Sequence, residues 1–76
     1  MNKHLPDCVL NLRLKSGFTQ QQLAERFNVP RNTIAKIETG LQDCKTDLLV
    51  KYAVFFNVST DYLLGLDKLR ERRAKK

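Results

Sequence analysis

In the stretch NVPRNTIAKIETG, residues 28–40, Asn32 and Lys36 stand four residues apart and Arg31 immediately precedes them. On a helix that spacing makes Asn32 and Lys36 surface neighbours. The asparagine amide matches the paired donor and acceptor of an adenine edge, and arginine or lysine matches the two acceptors of guanine. These types at this spacing carry base-reading chemistry. They equally suit the solvated face of any surface helix, so the stretch alone leaves both readings open. Its outline is helical: Pro30 sits near the start, Gly40 lies just past the end, and Ile34 and Ile37 face inward with Glu38 at their edge. Ala35 lies between the polar side chains of the outer face.

Other chemistries find little support. One histidine, scattered carboxylates and no glycine-rich phosphate loop make an enzyme unexpected, and no cofactor or small-molecule ligand is expected either. Cys8 and Cys44 fit no close-spaced metal or redox motif, so two ordinary buried or half-buried thiols are expected and no metal. No apolar run approaches the ~18 residues of a membrane span, and MNKHLPD lacks the apolar core of a signal peptide. A cytoplasmic, nucleoid-associated location without membrane contact is the expectation.

The 76 residues suggest one domain, small enough that oligomerisation is a live expectation. The formal charge of +6 is unevenly spread. Residues 67–76, DKLRERRAKK, hold six basic and two acidic side chains, leaving an excess of only +2 on residues 1–66. A basic excess suits a polyanion such as nucleic acid, or an acidic membrane surface, whereas the tail by itself equally suits a solvated segment, helical or disordered.

The elements that position the outer face read as helices throughout. Helix 1 is expected from about Leu5 to Ser16, with Leu5, Val9 and Leu12 as its inner stripe and Leu10 and Leu14 off it. Gly17 closes it. Thr19 and Gln22 have capping-box spacing, and Leu23, Ala24 and Phe27 give the second helix a buried face. Thr46 is expected to cap a fourth helix with core stripe Leu48, Leu49, Tyr52, Ala53 and Phe56. Ser59 and Gly65 bound a short fifth. Between helices 2 and 3 only Asn28-Val29-Pro30 remains, too short for antiparallel packing, so a helix-turn-helix with a steep crossing is expected. Asn28 tolerates the left-handed conformation such a turn needs. The expectation is an all-α, five-helix bundle over residues 1–66.

Beyond these patterns, GFTQQQLAERFNVPRNTIAKIETG followed by LLVKYAVFFNVSTDYLLG closely resembles the XRE-type helix-turn-helix family of phage repressors and Cro proteins. The resemblance covers about residues 5–66 and implies a lambda-repressor-like fold and sequence-specific binding of double-stranded DNA. It places Arg31, Asn32, Thr33, Ala35 and Lys36 on the base-reading face. It gives Gln20, Gln21, Lys45 and Thr46 phosphate contacts, and pairs Arg13 with Glu38 in an ion pair that leaves Arg13 near a phosphate. Relatives often dimerise through the C-terminal end, which here offers Val54, Phe55, Tyr62 and Leu66. The resemblance implies a transcriptional regulator, most simply a repressor on a palindromic operator, of bacterial, phage or mobile-element origin and a homodimer at least on DNA. Without a sensor domain, its control is expected from concentration, a partner or proteolysis. A DNA-binding antitoxin, a restriction–modification controller and a helical protein-interaction module without DNA binding are the alternatives.

Five positions depart from the family pattern, among them Val54 and Phe55, which replace residues that are often polar or small. Asn28 replaces a turn glycine, Pro30 replaces a capping hydroxyl, and Cys44 stands where proline is frequent.

Overall fold

Thr19 and Gln22 exchange hydrogen bonds at the start of the second helix. The Thr19 hydroxyl accepts from the Gln22 N–H at 3.0 Å, and the Gln22 side-chain oxygen accepts from the Thr19 N–H at 2.9 Å. Two donors that a helix start leaves open are thereby satisfied within the chain. The computed structural model describes residues 2–66, which form α1 (His4–Ser16), α2 (Gln20–Phe27), α3 (Arg31–Thr39), α4 (Thr46–Phe56) and α5 (Thr60–Leu64). No strand occurs among the described residues. The basic segment 67–76 lies outside them.

Each of α1 to α5 stops at a left-handed residue: Gly17, Asn28, Gly40, Asn57 and Gly65. Asn28, at φ 58°, ends α2 and lets the Val29 N–H return to the Ala24 carbonyl at 3.0 Å. Asparagine pays less than other side-chain-bearing residues for this conformation, so the turn forms without the family's glycine. Val29 follows, half-buried against the core.

The core is assembled from one face of each helix. Val9, Leu23, Ile34, Ile37, Tyr52 and Leu63 are its fully buried large side chains. Helix α2 packs on α3, α1 on both α3 and α5, and α4 on α5. Leu14 turns to solvent and Leu10 is half-buried, as their place off the α1 stripe implies. Two residues join the buried face of α1 that apolar spacing did not select. Cys8 behaves there as a small apolar side chain, and Arg13 is buried because a carboxylate meets it.

The start of α4 differs from expectation. Thr46 is the first residue of α4 and not its cap; Lys45 holds the cap position and makes no side-chain bond there. The Lys45 carbonyl already accepts from the Leu49 N–H at 2.8 Å, and Asp47 Oδ1 takes the Leu48 N–H, which sets the start one residue early. At α1, Lys3 holds the cap position without a side-chain bond, and Asn2 before it serves the first turn. Its Oδ1 accepts from the His4 and Leu5 N–H groups, while its Nδ2 donates to the Leu64 carbonyl and ties the two ends of the fold together.

Phe18, Phe27 and Phe55 meet edge to face under α4, with centroids 5.2 and 5.6 Å apart, and Phe56 joins them. Tyr52 packs on Phe27 at 4.9 Å. Its hydroxyl is buried with no hydrogen-bond partner among the described residues. Burial, more than the nearby Glu38 and Cys44, pushes the phenol above its ordinary pKa, so it stays neutral. An unpartnered buried hydroxyl costs stability. Tyr52→Phe is therefore expected to leave stability unchanged or raise it by up to about 1 kcal/mol in urea titration. A loss larger than that would show that the hydroxyl has a partner.

Candidate nucleic-acid interface

The seating of α3 begins with its buried side. Ile34 and Ile37 are wholly buried, and one position along the same edge Glu38 is buried too. A carboxylate there needs partners. Arg13 of α1 supplies two: Nε donates to Glu38 Oε2 at 2.6 Å and Nη2 to Oε1 at 3.0 Å. This fork fixes both direction and register between the helices. The remaining Arg13 nitrogen, Nη1, donates to the Phe18 carbonyl at 2.9 Å in the α1–α2 connection. The Glu38 bond, outweighing burial, raises the Arg13 pKa and keeps the guanidinium charged.

The bonding continues outward to the surface. Gln20, the first residue of α2, donates from Nε2 to Glu38 Oε1 at 3.0 Å. Its Oε1 accepts from Arg31 Nη1 at 3.1 Å, and Arg31 is the first residue of α3. Arg13, Glu38, Gln20 and Arg31 thus form one continuous run from the core to the exposed start of α3. The sequence reading paired Arg13 with Glu38 but gave Arg31 no partner. The meeting of Gln20 and Arg31 depends on how α2 crosses α3, which residue type and spacing do not encode.

Around that start the outer face is open. Arg31, Asn32 and Lys36 are exposed, while Thr33 and Ala35 are half-buried at its margin. Pro30 occupies the cap position in extended conformation, without a side-chain bond. At the far end Thr39 Oγ1 donates to the Ala35 and Lys36 carbonyls and Gly40 closes the helix.

The residues expected at phosphates divide. Lys45 and Thr46 are exposed at the start of α4. Gln21 is exposed but bonds Glu25 Oε2 at 3.2 Å along α2. Gln20 is half-buried, with both ends of its amide engaged. Arg13 faces inward, with Nε, Nη1 and Nη2 all held by protein oxygens, which leaves its guanidinium little to offer a phosphate. Next to Lys45, burial above all pushes the Cys44 thiol up to about 11.

Three of the four residues expected at a dimer contact are exposed. Val54 is three-quarters exposed and Phe55 half-buried; together they border a groove with Arg26, Phe27, Val50 and Lys51. Tyr62 is exposed beside a different depression, lined by His4, Cys8 and Asn11, and Leu66 is exposed after α5. Among the described residues no His, Cys, Asp and Glu group is placed to hold a metal, and no helix is long and apolar enough to cross a membrane.

Comparison with known proteins identifies the family. Over 60 residues the chain is 42% identical to the HTH-type transcriptional regulator ImmR of Bacillus subtilis (strain 168), covering 79% of this chain and 47% of that protein. The chain spans about half the length of this curated relative. Residues 9–63 match the helix-turn-helix family model, a span that takes in α2, the Asn28–Pro30 turn and α3 together with the helices that brace them. With that match and the five-helix architecture in hand, the chain belongs to the helix-turn-helix family, of the XRE type that its sequence resembles.

Proposed function

We propose that this chain binds double-stranded DNA in a sequence-specific manner, with α3 in the major groove, and regulates transcription as a repressor. One observation carries the reading: Arg31, Asn32 and Lys36 stand exposed on a helix whose opposite side is fixed by Ile34, Ile37 and the buried Glu38–Arg13 fork. Base readout needs such side chains on an element that cannot roll. Lys45 and Thr46, with Gln20 and Gln21, flank this face at two helix starts and supply phosphate contacts. The name of the relative ImmR, a transcriptional regulator, supports the same reading.

A two-fold dimer through the C-terminal third, using Val54, Phe55, Tyr62 and Leu66, sets two copies of α3 about one DNA turn apart and calls for a palindromic operator. The exposure of Val54, Tyr62 and Leu66 supports it.

Selection from a randomised duplex library, followed by titration at two salt concentrations, tests the proposal. A roughly symmetric enriched motif and a steep loss of affinity with salt are expected. Binding that ignores salt, or no binding, would sink it.

A further inference from the structure

Val50 and Val54 stand one turn apart on α4, and both face solvent, 47% and 75% exposed. Scattered apolar residues are ordinary on a surface, but these two continue into a groove between α2 and α4. Buried Phe27 and half-buried Phe55 line it from beneath, and exposed Arg26 and Lys51 stand at its edges. Both cations are held in place. Lys51 Nζ donates to the Phe27 carbonyl at 2.8 Å, and the Arg26 guanidinium lies 5.6 Å from the centre of the Phe18 ring. Among the described residues no carboxylate lines the groove. Glu25 and Asp47, close to these cations in sequence, accept instead from Gln21 Nε2 and the Leu48 N–H.

Charge decides what fits. An apolar floor between two cations is complementary to a segment whose apolar anchors are flanked by carboxylates. A two-fold contact that set groove against groove would oppose like charges. A DNA backbone would use the cations but has nothing to place on Val50, Val54 and Phe55. The described residues offer no strand edge for a peptide to extend. Valines at i and i+4 beside two aromatic rings form instead the kind of groove that takes the apolar face of a helix.

We propose that the groove between α2 and α4 docks an acidic amphipathic helix of another protein, with its apolar face on Val50, Val54 and Phe55 and its carboxylates at Arg26 and Lys51. The inference goes beyond the DNA-binding reading, which uses the starts of α2, α3 and α4, whereas the groove takes in later turns of α2 and α4. Val54 and Phe55 also belong to the dimer contact proposed above, so a helix in the groove and a second copy on those residues exclude one another. A docked partner thus opposes the dimer.

A display library of helical peptides of about 15 residues, with apolar side chains at i, i+3, i+4 and i+7 and Glu or Lys allowed between them, is the probe. Selection on the parental protein is expected to enrich Glu over Lys beside the anchors. Backbone NMR shifts caused by the tightest peptide should centre on Val50, Val54 and Phe55. Arg26→Glu should weaken that peptide about 10-fold and, used as bait, turn the selection toward Lys. Val54→Glu, at a three-quarters exposed position, should weaken it at least as much while the urea midpoint stays at the parental value. No enrichment, enrichment without a preference for Glu, or shifts centred elsewhere would overturn the inference. Shifts from a nonspecific duplex centred on Arg26 and Lys51 would give these cations to phosphate and overturn it too. Self-association that Val54→Glu abolishes, with no peptide selected, would assign the groove to a second copy and overturn it equally.

Discussion

Glu38→Ala is expected to destabilise the protein by about 3–5 kcal/mol, because it leaves the Arg13 charge buried without its carboxylate. A small domain holds roughly 5–15 kcal/mol of stability in all, so this single change removes a large share of it. The burial of both side chains makes the effect large: Arg13 and Glu38 are 10% and 2% exposed. Exposed pairs with the same geometry contribute about 0–1 kcal/mol. Arg13→Met alone should cost a similar amount for the mirror-image reason. The double replacement Arg13→Met with Glu38→Leu should recover much of the loss, since neither charge then remains to be solvated. Urea unfolding of the two single variants and the double variant gives the three values and their coupling. Single losses below about 1 kcal/mol would mean that water reaches the pair in solution. In the recovered double variant Gln20 has lost its Glu38 acceptor, so restored stability need not restore DNA binding.

Lys36→Ala and Asn32→Ala should each weaken binding to the selected operator by about 1–3 kcal/mol and relax base preference at the positions they face. Both residues are exposed, so stability should move by no more than about 0.5 kcal/mol. That separates them from Glu38→Ala, which reaches binding through the fold. Lys45→Ala provides the contrast: affinity should fall evenly across sequences, and the salt dependence should become shallower by about one unit of slope. Competition of single-base operator variants at fixed salt makes the comparison. If Lys36→Ala left every base preference as it was, Lys36 would not be on the reading face.

Much of this architecture is legible in the residues, because helix ends carry local chemistry. Thr19 with Gln22, Ser59, and the Gly and Asn residues at the stops all act over a few positions, and all stand where their types suggest. The start of α4 was missed by one residue for a related reason. Thr46 is a good cap type, but the choice between Lys45 and Thr46 turned on where the Lys45 carbonyl could point, which side-chain type does not encode. Asn2 as the side chain that serves the first turn of α1 depends equally on α5 coming back to meet it.

The candidate site divides along the same line. Which faces of α3 point in and out follows from helical periodicity. The burial of Arg13 and Glu38 was also available in principle, since each lies four residues beyond a core residue of its own helix, Val9 and Ile34. A charge on a core stripe asks for a partner, and there is one of each sign. The Gln20–Arg31 contact was not available. It needs two helix starts to meet across a turn, and only the folded arrangement of α2 on α3 brings them together.

The starts of the helices have one more consequence. Three of the five are closed by side chains: Asn2 for α1, Thr19 for α2 and Ser59 for α5. The cap positions of α3 and α4 are Pro30 and Lys45, and neither side chain closes its helix. Each such cap is worth about 1 kcal/mol where it exists. The protein thus leaves undone at the start of α3, and leaves to Asp47 alone at the start of α4, a task that other side chains complete at the remaining three. An anion arriving there would do what no cap residue does, tightening the first turns as it binds. Occupancy of that face and order in α3 and α4 then rise and fall as one linked equilibrium.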